Sequence, residues 1–404
     1  MNKIRILRIL NRFNLGGPTY NACYLTKYLE GDFETLLVGG ENGRYEASSL
    51  EIPHSLGIEP LILPELKREI HPYWDFLAYK KIKDLIKTFK PHIIHTHASK
   101  AGAIGRWAGY NTCVPIIIHT FHGHVFDAYF NNLKSNFYVL LEKELAKKTD
   151  ILIALSQNQK IDLTENYKIA TDEKVKVIPL GLDLKKYTFD KETKRKKVRQ
   201  EFNILDDIFV FSLVGRIAPI KNHKLAIDAA KIAIKESNKP IKFLFVGDGE
   251  LRDELIQYTK INELNTSYKE AHGNEDIIFT SWRNDIDAIM AASDAILLTS
   301  NNEGTPVSLI EAQASEKPII ATRVGGVADI VKDNAILVEK NNVRALAEAM
   351  IKIIDGHFIN IESLVKNKDF ILNNYSIEIL VDNIKNLYLE LFNSKFGKIK
   401  IYNL

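Results

Sequence analysis

Short runs of β-branched and aliphatic residues alternate with helical patterns along this chain, in two series separated by one interruption. The first series holds strand candidates at Ile4–Leu10, Thr35–Val38, Ile93–Thr96, Ile116–Thr120, Ile151–Ala154 and Val175–Ile178. Gly16-Gly17-Pro18 reads as a turn and Thr19–Leu29 as a helix. Strands separated by helical stretches predict a parallel α/β sheet. Pro179–Asp183 (PLGLD) breaks the pattern, and the charged stretch Lys191–Arg199 follows it. A second series opens at Phe209 and continues through Lys242–Val246, Ile277–Thr280, Ala295–Thr299 and Pro318–Thr322. The expected organisation is two parallel-sheet domains, residues 1–185 and 186–375. The helix pattern Ile377–Phe392, within residues 376–404, has no strand after it and is expected to pack back on the first domain. In such sheets ligands sit at the carboxyl ends of strands, so the informative residues are those just after each strand.

Composition narrows the class. The 404 residues provide material for two or three domains with hydrophobic cores. Lys and Arg total 54 against 51 Asp and Glu, and a net charge of +3 is no footprint of nucleic-acid binding. Cys23 and Cys113 form no CxxC pair, which excludes a disulfide scaffold and fits a reducing compartment. Arg5, Arg8 and Arg12 interrupt the apolar N-terminus, so it does not read as a secretory leader. No window reaches the ~20 apolar residues of a membrane span. The expected location is cytoplasmic, with contact to a membrane surface left open.

The densest signal is Thr299–Thr322, TSNNEGTPVSLIEAQASEKPIIAT. A strand ends at Thr299, Thr305 has the character of an N-cap, and Pro306 that of a first helical residue. The helix from Val307 then opens with free N–H groups, a site for an anion such as a diphosphate. Glu303 precedes that turn and Glu311 lies about one turn inside the helix. Carboxylates repel phosphate; they suit hydroxyl groups on either side of it, on a sugar at one end and a ribose at the other. The E-x7-E spacing alone fits a capped helix with two solvated acids equally well.

NEGTPVSLIEA, with VGGVADIV after it, resembles the donor-binding stretch of the retaining GT-B glycosyltransferases of family GT4. The resemblance covers nearly the whole chain, through Asn14-Leu15-Gly16-Gly17, HTHASKAGAIGR (95–106), HTFHGHVF (119–126), VIPLGLD (177–183), VGRIAPIKNH (214–223) and VGDGELR (246–252). It implies two Rossmann-like domains, acceptor side first and nucleotide-sugar side second, with the active site in the cleft between them. It implies that Glu303 holds donor-sugar hydroxyls, Glu311 the ribose, and Arg216 and Lys221 the diphosphate, while His122 hydrogen-bonds the sugar. Gly16, Gly17, Asp248, Gly304, Thr305, Pro306 and Val307 fall in the matching blocks as donor-binding positions, and Trp282 and Arg283 where the family contacts the base. The implied reaction is transfer with retention from a nucleotide-diphosphate sugar, expected to be a UDP-sugar, with UDP-N-acetylhexosamines among the candidates. The implied acceptor is a glycan or a polyprenyl-linked glycan in surface polysaccharide or O-antigen assembly. No metal or other cofactor is implied, cationic side chains standing in for the divalent ion. A nucleotide-sugar 2-epimerase of the same fold and a catalytically silent nucleotide-sugar-binding protein are the rival readings.

Four weaker signals remain. Gly16 and Gly17 lack the third glycine of GxGxxG, and mark either a tight turn or backbone that approaches a phosphate. Six of the eleven histidines (His92, His95, His97, His119, His122 and His124) fall in two short segments, where zinc is conceivable although no cysteine or acid completes a ligand set. Asp285-Ile286-Asp287 is the metal–diphosphate string of the other transferase fold, yet it opens a helical run, which favours capping and dipole compensation. Tyr79–Lys90 reads as an amphipathic helix with five lysines and one acid, either a solvated face or a surface for anionic lipid. Lys191–Arg199 and Lys395–Lys400 are similarly basic.

Overall fold

The computed structural model describes residues 3–13, 16–41, 50–67, 69–123, 132–358 and 360–397. Asn14, Leu15, His124 and the tail from residue 398 onward lie outside the described residues. The chain divides into two compact units, Met1–Leu182 with Tyr375–Leu404, and Asp183–Asn374.

Unit 1 is built on β1 (Ile4–Arg12), β2 (Phe33–Gly40), β3 (Leu61–Ile62), β4 (Ile93–His97), β5 (Ile116–Thr120), β6 (Ile151–Ala154) and β7 (Val175–Val177). Unit 2 is built on β8 (Phe209–Val214), β9 (Ile241–Val246), β10 (Thr266–Tyr268), β11 (Ile277–Ser281), β12 (Ala295–Leu298), β13 (Ile319–Thr322) and β14 (Ala335–Val338). The strand orders are β3-β2-β1-β4-β5-β6-β7 and β10-β11-β9-β8-β12-β13-β14, with parallel pairing throughout the described strands. The central strands are buried along their length, which is why they read as continuous apolar runs. The sequence reading omits β3, β10 and β14. All three are edge strands; β3 and β10 have only two and three residues, whereas β14 (AILV) is an apolar run as long as β6 that the sequence reading passed over.

Chain direction across each sheet reverses once, between β1 and β4 and between β8 and β12. Connections leaving the two strands at such a point go to opposite faces and open a crevice at their carboxyl ends. Each unit therefore offers one such crevice.

The helix Ile377–Phe396 follows unit 2 in the chain but belongs to unit 1. Leu380, Ile384, Leu387, Tyr388 and Phe392 form its buried stripe, packed on Ile4, Ile6, Ile93, Ile116 and Ile153. The PLGLD segment runs against the start of this helix. Leu182 N–H donates to Tyr375 O at 2.8 Å, and a Cβ on Gly181 would fall 2.5 Å from Leu380 Cβ, so only glycine permits the approach.

The basic run Tyr79–Lys90 lies in the helix Pro72–Phe89 and its C-cap. The helix's apolar residues Ala78, Ile82 and Ile86 are buried against Leu7, Ile9, Val38 and Ile94, so the stripe is a core contact and not a lipid-inserting face. Among its lysines, Lys81 pairs with Glu65 at 2.6 Å and Lys87 with Asp84 at 3.6 Å. Among the described residues, no helix is long and apolar enough to cross a membrane.

Truncating the C-terminal stripe tests this packing. Ile384→Ala removes a side chain that is 1% exposed and should cost about 2–5 kcal/mol, read as a lower urea midpoint. Lys385→Ala, in the partly exposed ion pair with Asp32, should stay within about 0.5 kcal/mol of the wild type.

Candidate functional site

In unit 2 the turn Pro219–Lys221, after β8, is stitched to the loop after β12. Asn301 N–H donates to Ile220 O at 2.8 Å and Thr299 Oγ1 to Lys221 O at 2.9 Å. This places Lys221 Nζ 2.5 Å from Glu303 Oε1, which also accepts from Ser300 Oγ at 2.6 Å. The two side chains are 22% and 10% exposed, so their attraction is little screened by water. Both bonds end on Oε1, leaving Oε2 to accept from a ligand hydroxyl. Arg216 does not join this pair. Its guanidinium turns to Glu250 at 2.9 Å, and with both partners about half exposed that bridge is worth ~0–1 kcal/mol. A ligand anion can outcompete so weak a contact.

The helix Val307–Ala314 opens beside this loop, and no side chain caps it. Pro306, not Thr305, occupies the N-cap position (φ −73°, ψ 94°), because the proline lies one residue earlier than the sequence reading placed it relative to the first helical turn. Without a side-chain cap, the helix start keeps its preference for an anion. The backbone just before it is fixed by the VGG of the following block. Gly326 N–H donates to Glu303 O at 2.9 Å. A Cβ on Gly325 (φ +46°) would lie 2.0 Å from Glu303 O, and one on Gly326 2.0 Å from Gly304 O. No side chain other than hydrogen lets the two loops approach so closely.

Glu311, inside that helix, accepts from Tyr187 Oη at 2.5 Å. Desolvation pushes its carboxyl up to about 7, with Asp287 adding to the rise and the Tyr187 hydrogen bond and Lys186 opposing it. Burial, with the Glu311 charge, also pushes the Tyr187 phenol well above its usual value. Part of Glu311 stays accessible, so a hydroxyl arriving from solvent would relieve the desolvation. Sequence reasoning missed Tyr187; a lone aromatic in Lys185-Lys186-Tyr187-Thr188 carries no signal beyond its burial.

Other expected donor-binding residues have partners within the protein or stand exposed. Asp248 accepts from Gly249 N–H (2.8 Å), Arg252 Nη1 (3.1 Å to each oxygen), Ser281 Oγ (3.0 Å) and Tyr268 Oη (3.2 Å), which braces the ends of β9, β10 and β11. Arg283 is held by Glu201 and Asp285 and lies over the Phe202 ring. Trp282 is 46% exposed. The Asp285-Ile286-Asp287 string caps no amide through its side chains. Asp285 stands at the N-cap position of Ile286–Ala292, but its carboxylate is drawn to Arg283, and Asp287 pairs with Lys194 at 3.0 Å.

In unit 1, Gly16 and the uncapped helix Gly17–Tyr28 follow β1. A Cβ on Gly16 or Gly17 would meet nothing closer than 3.8 Å or 3.9 Å, so packing does not require either glycine. Across the β1/β4 crevice stand the histidines. His95 Nδ1 is 2.6 Å from Tyr388 Oη, and its Nε2 is 2.7 Å from Thr120 Oγ1. His97 stacks on His95 at 4.3 Å, and its Nδ1 is 2.9 Å from His122 Nε2. His119 Nδ1 meets Thr96 Oγ1 at 2.8 Å. Among the described residues no three His, Cys, Asp or Glu side chains converge as metal ligands; these histidines are a hydrogen-bonded and stacked cluster. Burial holds His95, His97 and His119 well below the usual histidine range and His122 at about 3, so all four are neutral.

Residues 16–186 match the family described as Glycosyltransferase Family 4, and residues 194–375 match Glycosyl transferases group 1. Over 345 residues the chain is 33% identical to the Escherichia coli UDP-Gal:alpha-D-GlcNAc-diphosphoundecaprenol alpha-1,3-galactosyltransferase, covering 84% of this chain and 85% of the relative. The chain is a family 4 glycosyltransferase. The transferase is also 25% identical over 340 residues to the capsular polysaccharide biosynthesis glycosyltransferase CapM of Staphylococcus aureus, covering 82% of this chain and 86% of that one. Its fold matches that of Anabaena HepE crystallised with UDP, at a TM-score of 0.78 and 19% identity over 95% of this chain and 99% of the other. The two Rossmann-like units are the GT-B fold.

Burial of Glu311 in the transferase makes a pH prediction. Its carboxyl titrates at about 7 in the fold against an ordinary 4.5, so folding favours the protonated form. The stability associated with it is complete below 4.5 and is lost as pH rises through 7. Glu311→Gln should therefore melt near the wild type at pH 5 and above it at pH 8. A melting difference that does not change with pH would remove the assignment.

Proposed function

We propose that this transferase moves a hexose from a UDP-sugar to a glycan carried on a polyprenyl diphosphate, with retention at the anomeric carbon and without a divalent metal. The observation that carries the reading is the Lys221–Glu303 pair set just before an uncapped helix start, a cation, a hydroxyl acceptor and free amides at one turn. The name of the E. coli relative supports UDP-galactose as the first donor to try, and that of CapM supports a role in surface polysaccharide assembly. UDP-N-acetylhexosamines form the second set.

In this reading the diphosphate takes the amides that open Val307–Ala314, with Lys221 and a redirected Arg216 facing its charge. Glu303 Oε2 accepts from the sugar hydroxyls and Glu311 from the ribose. The family pattern assigns His122 a hydrogen bond to the sugar, the Gly16-Gly17 turn a place near the phosphates, and Trp282 the base. The acceptor oxygen bonds to the anomeric carbon on the face from which the diphosphate leaves, and its proton passes to a diphosphate oxygen. Negative charge grows on the leaving group as the bond breaks, and Lys221 meets it there.

A lipid carrier requires approach to a membrane. Lys80 lies over the exposed Phe76 on the helix Pro72–Phe89, and Lys148, just past the helix Asn132–Lys147, over Trp107 and Tyr110 on the helix Ser99–Asn111, which Asn111 Nδ2 ties to the first by donating to Tyr79 Oη at 2.8 Å. Aromatic rings with lysines alongside suit the headgroup layer of an anionic bilayer. Flotation with anionic vesicles should exceed that with neutral ones and weaken with salt; equal flotation with both would remove this part.

Kinetics with saturating acceptor separate the roles. Lys221→Ala should lower kcat by ~10²–10³, and Glu311→Gln should mainly raise the donor KM. Activity should survive EDTA. An altered monosaccharide released without acceptor would favour an epimerase, and no turnover of any nucleotide sugar a silent binding protein.

A further inference from the structure

The short turn Lys185–Tyr187 lies near the start of unit 2 and is pinned from several sides. Thr188 Oγ1 donates to Lys185 O at 2.8 Å, and Lys194 Nζ donates to Lys186 O at 2.6 Å and Phe189 O at 2.9 Å. Lys194 also pairs with Asp287 on the helix Ile286–Ala292 at 3.0 Å, each side chain only 16% exposed. The second acid of the Asp285-Ile286-Asp287 string therefore anchors the turn that carries Tyr187.

Tyr187 is 3% exposed, and its hydroxyl meets Glu311 Oε1 at 2.5 Å. Facing a carboxylate the phenol is the donor, and this is the length of a charge-assisted O–H···O⁻ bond. Burial raises the phenol, and the charges of Glu311, Asp287 and Asp183 add to the rise, so the phenol keeps its proton. Around Glu311 the balance is close. Burial and Asp287 favour the neutral acid, while the Tyr187 hydroxyl, and after it Lys186, favour the carboxylate. The bond takes Oε1 alone. Oε2 has no hydrogen-bond partner among the described residues and is not an enclosed atom, so a free acceptor lies on the accessible side of Glu311. Without Tyr187 the carboxyl would turn freely about its last bond, which is a broad torsion.

We propose that Tyr187 is a positioning residue of the nucleotide site, which holds one oxygen of Glu311 so that the other stays an ionised acceptor for a ribose hydroxyl, and thereby selects ribonucleotides over deoxyribonucleotides. The ribose contact rests on the donor-site reading above; the hold of Tyr187 on Glu311 does not. Tyr187 acts through Glu311 and has no need to touch the nucleotide. A site built around a hydroxyl rejects the analogue that lacks it, because the acceptor is then left dry and unpaired.

The test is calorimetry on the full chain at pH 8 with UDP and its 2′,3′-dideoxy analogue, which carry the same diphosphate and no sugar. The wild type should bind UDP about 10- to 100-fold more tightly than the analogue. Tyr187→Phe should cut that preference about fivefold or more, while its affinity for the analogue stays within about twofold of the wild type. A general loss of structure would weaken both ligands alike and leave the preference standing. Melting without nucleotide gives a second readout. The gap between the wild type and Glu311→Gln widens with pH only until Glu311 is ionised, at about 7. Between Tyr187→Phe and Tyr187→Phe/Glu311→Gln the gap should go on widening at higher pH, because loss of the phenol raises the carboxyl further. A folded Tyr187→Phe with the full wild-type preference for UDP overturns the proposal and leaves the ribose reading intact. A wild type that binds both ligands equally overturns the ribose reading, and the selectivity with it. A gap that levels off at the same pH in both pairs overturns the hold of Tyr187 on Glu311, whichever nucleotide is used.

Discussion

Parallel pairing sends every strand of a sheet out through the same edge, so all the loops that can hold a ligand collect there. Only where strand order reverses do two neighbouring loops part and leave space. In unit 1 that place lies between β1 and β4, and in unit 2 between β8 and β12. The glycine turn at residues 16–17, His97, Lys221 and Glu303 all stand within a few residues of those four strand ends. The sheets themselves need only aliphatic residues, which leaves the loop residues free to be chosen for chemistry.

The loops are then made rigid by close backbone contact. Gly325 and Gly326 lie where any side chain would strike the carbonyls of Glu303 and Gly304, and Asp248 uses both oxygens to brace three strand ends. Such residues look like ligand contacts in sequence because they sit in the same short blocks. In this structure they also hold the backbone on which the neighbouring loop residues stand.

The sequence made the central strands legible because both faces of each are buried, and apolar runs bounded by helical patterns leave few alternatives. Edge strands β3 and β10 escaped because two or three partly buried residues show no run, while β14 is an apolar run as long as those that were read. The helix over Pro72–Phe89 displays the same stripe whether a sheet or a lipid covers it, and only Leu7, Ile9 and Val38 settle which. Glu303 and Glu311 stood out beside a proline at a helix start, while Lys221 was singled out only through the family resemblance; the structure brings Lys221 against Glu303 and sets Tyr187 on Glu311. Tyr187 and Tyr388 did not stand out: each meets its partner across more than a hundred residues of chain, and nothing local marks such a pairing.

The contact between Leu182 and Tyr375 has a topological meaning. Residues 183–374 leave unit 1 and return to it at two points joined by one hydrogen bond of 2.8 Å. In chain terms the second unit is an insert, a loop of unit 1 enlarged into a domain. Its two ends are close enough that cutting it out would require only a short splice across the gap. The same proximity makes the junction a natural seam for exchange, where a relative's second unit could be spliced in without cutting a strand of the host sheet.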